Sequence, residues 1–289
     1  MSSHRTSDLE CFKEAIWQEW TDQSIVAAWR KWHPKHAAFT SAATDAILEV
    51  GQIKPSMRVL DLASGSGDPA LTLAEFVESE GHVTATDLGP GMLAVAQENA
   101  RKAGLTNISF QQADAHSLPF PERHFDVVTC RFGVFYFADS IEALREILRV
   151  LKPGGRVVFI AHGPLEQSLF FSTALSPFLK RTEVPAPPPG APHPFKFSES
   201  GLLPEELRRA GFQQVQEEFR TLAWAWSGTP EEFWRYLYEI AGPFHAIIDT
   251  LTPEQRGQAV CEAITGISQY YDGKHVNFSG EIIVASGVR

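Results

Sequence analysis

The feature that most constrains the fold of this chain is a short apolar strand that runs into a glycine-rich turn and opens an alternation of strands and helices. Residues 58–63 read Arg-Val-Leu-Asp-Leu-Ala and break at Ser64, Gly65, Ser66 and Gly67, the pattern of a buried strand entering a tight turn. Pro69 then stands where a helix tolerates proline, at its opening. Strands are predicted at 82–87, 108–112, 125–130 and 156–161. Helices are predicted at 91–103, ending at Gly104, and at 141–151, stopped by Lys-Pro-Gly-Gly. Strand and helix alternating from about 45 to 162 predict a parallel sheet covered on both faces. Ligands of such sheets gather at the carboxyl ends of the strands.

The flanking segments follow a different rhythm. Over 8–44, Trp17, Trp20, Ile25, Ala28, Trp29 and Trp32 recur at helical spacing, with Pro34 predicted to interrupt and a second helix at 37–50. After 162 a proline-rich stretch at 184–194 predicts a stiff loop. A helix at 204–210, a strand at 212–220, helices within 229–272 and a last strand at 281–288 follow. The expected organisation is an N-terminal helical lid over 1–44 and an α/β domain over 45–289, with lid or substrate insertions at about 163–200 and 221–280. These three segments are rich in Phe and Trp. They predict an apolar pocket above the strand ends, suited to a small organic ligand.

Charge and cysteine usage narrow the function. The 289 residues carry a formal net charge of −10, which repels nucleic-acid phosphates, and the longest basic cluster is Arg208 with Arg209. No nucleic-acid partner is expected. Cys11, Cys130 and Cys261 are scattered, without metal or disulfide spacing, which suits a reducing cytoplasm; Cys130 is expected to be an inert core thiol. The opening residues MSSHRTSDLE lack the apolar run of a secretory leader, and no apolar stretch is long enough to span a bilayer. A cytoplasmic protein without metal or membrane span is expected, and a homodimer is left open.

Three acids decide what the glycine turn holds. Gly65 and Gly67, with Ala70 in the last place, fit a loose dinucleotide fingerprint, which points to a nicotinamide-dependent oxidoreductase. Asp61, on the strand before the turn, argues against it: a carboxylate there repels a pyrophosphate and favours a cationic cofactor. Asp87 ends the second strand, where an acid accepts hydrogen bonds from ribose hydroxyls. Asp114 follows the third strand, in reach of an adenine amino group.

The segments VLDLASGSGDPALTLA, TATDLGPGML, FQQADAHSLPF, FDVVTCRFGVFYF and LKPGGRVVF resemble, in order and spacing, the successive motifs of class I S-adenosylmethionine-dependent methyltransferases, and within them the ubiquinone/menaquinone C-methyltransferase-like group. The resemblance covers about 55–160. It implies an α/β, Rossmann-like seven-stranded sheet of order 3-2-1-4-5-7-6, the last strand antiparallel, with S-adenosyl-L-methionine as cofactor and a small-molecule acceptor. It also implies roles. Gly65 and Gly67, with Ser66 between them, let the backbone approach the cofactor. Asp87 holds the ribose, Leu88 and Met92 pack near the adenine, and Asp114 with the Ala115 amide reads the adenine edge. Arg131 and Phe132 lie near the methionine end. Ubiquinone-type enzymes usually carry an Asn after the fourth strand, where this chain has Arg-Phe-Gly-Val-Phe-Tyr-Phe.

The catalytic candidate is His162, which follows the fifth strand where a transferable methyl must lie; imidazole titrates near neutrality and takes protons. The alternative is a histidine that only closes the strand. His193 and His275 are expected to be solvated. The N-terminal tryptophans, Trp32 among them, either pack on the sheet or close over the cofactor. A cofactor-bound cyclase or other non-methylating homologue keeps the same pocket and remains the second alternative.

Overall fold

The computed structural model describes residues 2–183, 187–188 and 190–289. The proline-rich loop expected at 184–194 falls in part on residues 184–186 and 189, outside the described residues. Three helices come first: α1 (Ser2–Thr21), α2 (Gln23–Phe39) and α3 (Ser41–Val50). The alternating core follows as β1 (Arg58–Leu62), α4 (Ala70–Val77), β2 (His82–Asp87), α5 (Pro90–Ala103), β3 (Ile108–Gln112), β4 (Phe125–Arg131), α6 (Ser140–Val150) and β5 (Leu151–His162). Then come α7 (Leu169–Leu179), α8 (Leu202–Ala210), β6 (Gln213–Ser227), α9 (Pro230–Ile240), α10 (Gly242–Asp249), α11 (Pro253–Ser268) and β7 (His275–Val288). The sheet has the order β3-β2-β1-β4-β5-β7-β6, as expected. β7 runs antiparallel to both β5 and β6.

The sheet buries alternate residues on opposite faces, because successive strand side chains point to opposite sides. Leu60, Val128, Phe159 and Ile283 pack with α6 and α8. Val59, Val127, Val158 and Ile282 pack with α3, α4, α7 and α11. Ala28, Trp32 and Phe39 of α2 join that second cluster, so the N-terminal helices share the core of the sheet. The boundary expected at 44/45 falls within α3.

Two expectations about the flanks are corrected. Pro34 does not interrupt: α2 runs through it to Phe39. Trp32 and His33 before it and Phe39 after it are all buried, and this anchoring on both sides outweighs the one backbone bond that proline removes. The break lies at Asp22 instead, whose carboxylate accepts from Ser24 N at 2.7 Å and Ile25 N at 3.3 Å and caps α2. The strands expected at 212–220 and 281–288 are also too short. β6 and β7 stay paired from Thr221↔Glu281 to Ser227↔His275, beyond the last β5 partner at His162↔Ile282. This ribbon rises past the carboxyl ends of the parallel strands, with α9, α10 and α11 between its two arms. It carries Trp224 and Trp226, both buried, into the aromatic layer above the site. α7 is a further element that the proline-rich composition of 163–200 hid.

Candidate active site

A cavity of about 500 Å³ opens over the carboxyl ends of β1, β2, β4 and β5. Of the residues singled out from the sequence, Gly65, Ser66, Asp87, Leu88, Met92, Asp114, Ala115, Arg131, Phe132 and His162 line it. Asp61, Gly67 and Trp32 stand behind its wall.

The glycine turn explains the first group. Gly65 has φ +53 and Gly67 φ +117, conformations that L side chains rarely adopt. A Cβ on Gly67 would also meet Leu71 Cδ1 at 3.1 Å and Ala96 Cα at 3.3 Å, so the second glycine lets α5 close on the turn. Asp61 braces the turn from below. Its carbonyl accepts from Ser64 Oγ and Thr86 Oγ1, both at 3.0 Å, and its carboxyl accepts from Thr129 Oγ1 at 2.6 Å. Fully buried, it is pushed up to about 7 by desolvation, against the hydrogen bonds from Thr129 and Ser64. Asp61 is thus a brace of the turn rather than part of the cavity lining.

Asp87 ends β2 and faces the cavity. Its Oδ2 accepts from Gly65 N and its Oδ1 from Gly89 N, both at 2.8 Å. Burial raises it to about 6 in spite of those amides. Asp114 is oriented by His116, whose backbone N–H donates to Oδ1 at 2.9 Å and whose Nδ1 lies 2.5 Å from the same oxygen. Burial works to raise this carboxyl, and the His116 contacts outweigh it and hold it below the usual range. The His116 Nε2 accepts from Asp139 N at 3.1 Å, which leaves the ring proton on Nδ1, facing Asp114.

Arg131 is committed within the wall. Its guanidinium donates to Thr44 Oγ1 at 2.8 Å and to the Asp68 carbonyl at 3.0 Å, and pairs with the Asp68 carboxylate at 2.5 Å. Phe132, next in the chain, sits at φ 57, a costly region for a bulky residue and one that clusters at functional sites. The conformation lays its ring on His162, 4.4 Å between centroids and 10° between planes. Phe171 meets the same imidazole edge-on at 5.0 Å. In this apolar sleeve desolvation holds His162 down to about 3, so it is neutral at physiological pH. Neither ring nitrogen has a hydrogen-bond partner among the described residues.

Trp32 belongs to the packing between α2 and α9: its Nε1 donates to Glu239 Oε2 at 2.7 Å and its ring lies 5.7 Å from Trp226. Cys130 is buried with its thiol pushed well up by desolvation. His193 and His275 are half-buried and lie off the cavity wall. Sequence reasoning missed several residues. Asp68 and His116 sit next to motif residues, and the Asp114–His116 spacing is that of an Asx turn. His33, whose Nδ1 lies 2.9 Å from Ser66 Oγ, and Tyr236 come from distant elements and left no local signal. No group of residues able to hold a metal occurs among the described residues, and no described helix is long and apolar enough to cross a membrane.

The wall has a net charge. Glu10, Glu14, Asp68, Asp87 and Asp114 line the cavity against Lys13 and Arg131. Five carboxylates against two cations favour a cationic ligand over a pyrophosphate. Away from the acids, the wall is rich in aromatic side chains.

Comparison with known proteins finds likenesses of sequence and of fold. The ubiquinone/menaquinone biosynthesis C-methyltransferase UbiE of Shewanella sediminis is 41% identical over 114 residues, which are 39% of this chain and 45% of that one. The UbiE of Shewanella woodyi matches to the same extent, 41% over 114 residues. The chain thus spans less than half the length of these curated relatives. Among solved structures, the YcgJ protein of Bacillus subtilis has a TM-score of 0.56 at 21% identity, over 86% of this chain and 98% of that one. The [4+2]-cyclase SpnF has a TM-score of 0.52 at 24% identity, over 86% and 80%. At these identities the likeness is one of fold alone. The profile of the ubiE/COQ5 methyltransferase family matches residues 35–181, just over half of the chain and all of the strand-and-turn motifs from β1 to β5, and the chain belongs to that family.

Proposed function

We propose that this protein transfers a methyl group from S-adenosylmethionine to a small, largely apolar or aromatic organic acceptor. The observation that carries the reading is Asp87: a carboxylate at the end of β2, held by the amides of Gly65 and Gly89, on the wall of one cavity with Asp114 and the aromatic layer. The residues fit the cofactor. Asp87 faces where ribose hydroxyls would donate, Leu88 and Met92 flank an adenine, and Asp114 with the Ala115 amide reads its edge. The acidic wall suits a ligand bearing an ammonium and a sulfonium. Bound S-adenosylmethionine supplies an activated methyl whose transfer is an in-line displacement.

The chain's own task is then to align the acceptor and exclude water, effects worth roughly 7–11 kcal/mol at best. His162 closes the strand end beside Phe132. Neutral and without a protein partner, it is suited to orient an acceptor group by a hydrogen bond. A base held at about 3 is too weak to take a proton efficiently near neutral pH. Titration calorimetry with S-adenosylhomocysteine and, separately, with NAD tests the proposal. Binding of the first and not the second is expected, weakened by at least about tenfold in Asp87→Ala with the fold intact by circular dichroism. Binding of NAD alone overturns it.

A further inference from the structure

His36 and Tyr236 form a pair on the cavity wall that the alignment chemistry above leaves unused. His36 Nδ1 lies 2.8 Å from the Tyr236 hydroxyl. The Tyr236 ring is buried, stacked on Trp226 with 4.4 Å between centroids, and its phenol is kept protonated by burial. His36 is kept neutral, first by burial and then by the charge of Arg131. Between a phenol and a neutral imidazole, the phenol is the better donor and the ring nitrogen the better acceptor, so the hydroxyl donates to Nδ1. The remaining proton of the imidazole then sits on Nε2. That N–H has no partner among the described residues.

The pair is held rigidly. α2 and α9 are joined on either side of it by Lys31 and Trp32 to Glu239, both at 2.7 Å, and by Lys35 to Glu232 at 2.6 Å. Around it the wall is largely aromatic, with Trp29 packed edge-on against His36 at 4.6 Å. Phe39 packs against Tyr236 at 6.1 Å and Trp224 at 5.3 Å. Trp224 packs against Phe132 at 6.3 Å, and Phe132 covers His162. A donor fixed in an aromatic wall discriminates between ligands that can satisfy it and ligands that leave it bare, because an unpaired buried donor carries its desolvation cost.

We infer that the Nε2–H of His36 seats an oxygen atom of the methyl acceptor, and that Tyr236 is the positioning residue that keeps the proton on that nitrogen. The inference rests on the methyl-acceptor reading of the cavity. It makes His36 a determinant of specificity carried by α2, outside the strand-end motifs.

The test uses protein saturated with S-adenosylhomocysteine and three probes of one ring system: naphthalene, 2-naphthol and 2-methoxynaphthalene. Their affinities are measured by equilibrium dialysis. The wild-type protein should hold the two oxygen-bearing probes about tenfold tighter than naphthalene, the size of one satisfied buried hydrogen bond. Tyr236→Phe, which removes one oxygen and keeps the stacked ring, and His36→Phe should both bring the three probes to within about twofold of each other. Naphthalene binding should persist, which shows that the wall is intact. His36→Gln, which retains an N–H, should recover part of the preference. No preference in the wild type, or a preference that survives in both His36→Phe and Tyr236→Phe, overturns the inference. A preference for 2-naphthol alone also overturns it, since the methoxy probe can only accept. Failure to bind S-adenosylhomocysteine defeats the functional reading, and this inference with it. Binding of S-adenosylhomocysteine without the probe preference defeats this inference alone.

Discussion

Asp87 has two backbone amides donating to its carboxylate and a buried position that opposes its charge, and burial prevails, raising it to about 6. A proton there occupies an oxygen that the amides and a ribose need. Affinity for S-adenosylhomocysteine should therefore be flat above about pH 7 and fall as the pH drops through 6, because the ligand favours the ionised form. Asp87→Ala should lose about 1.5–3 kcal/mol of binding at neutral pH, the worth of a charge-assisted hydrogen bond, and with it the pH dependence. Calorimetry across the window reads both, and an unchanged slope in the mutant would place the titrating group elsewhere. His162 makes the opposite prediction. Held at about 3 by desolvation, it stays neutral through the range in which histidines usually titrate. Turnover at saturating cofactor should show no break attributable to it near pH 6–7. His162→Ala should cost less than the roughly 10²-fold minimum typical of a lost general base. A break near neutrality that disappears in His162→Ala would restore the histidine to proton transfer.

At the scale of elements, the helices over the cavity differ in how firmly they are tied. α2 is joined to α9 by three carboxylate contacts and to the glycine turn through His33 and Ser66. α1 lines the cavity with Trp17 and Trp20. Its Glu19 carboxyl lies beside the first residue of α10, where a Cβ on Gly242 would meet Oε1 at 3.1 Å. Burial raises Glu19 to about 7. A raised carboxyl contributes its stability fully below its unfolded value and loses it as the pH rises through the folded one. Docking of α1 should therefore loosen between about pH 5 and pH 7. Hydrogen-exchange protection over residues 10–21, corrected for the intrinsic rates, should fall across that window in the wild type and stay level in Glu19→Gln. S-adenosylhomocysteine should raise it in both. A wild-type protection that does not change with pH would mean that Glu19 holds nothing.

The same difference in ties accounts for what the sequence disclosed. The β1 turn, Asp87 and Asp114 were legible because each stands at the carboxyl end of its own strand, where local pattern marks it. The sheet order was implied by the resemblance of the successive motifs, since local spacing does not say which strands are neighbours. Asp22 was missed as the helix break because proline gives the louder signal, and tertiary anchoring silenced it. The ribbon of β6 and β7 outran its predicted length because Trp224, Trp226 and Phe278 alternate for an aromatic layer rather than for the sheet core. His36 and Tyr236 stand 200 residues apart, and no local pattern joins them.

The whole molecule carries both signs of proton linkage. Asp61, at about 7, and Asp87, at about 6, are raised by burial; His36 and His162 are lowered by it. Between about pH 4.5 and 6.5 the raised carboxyls make stability fall with pH, since the native state binds the extra protons. The lowered histidines make it rise, since the unfolded state binds them. The two slopes oppose each other, so the wild-type melting temperature should change less across this window than either set of groups alone would make it. Removing one member exposes the balance. Asp61→Asn keeps an oxygen for Thr129 and cannot ionise. Relative to wild type it should gain stability as the pH rises from about 5 to about 7, by roughly 2 kcal/mol, since each pH unit between the two pKa values is worth about 1.4 kcal/mol. In a chain of this size that is a few degrees in melting temperature. The informative quantity is the difference between the two proteins at each pH, because any fixed penalty from burying an amide cancels in its slope. A difference constant across the window would mean that Asp61 ionises in the folded protein at its ordinary value. Its brace beneath the glycine turn would then hold at no electrostatic cost.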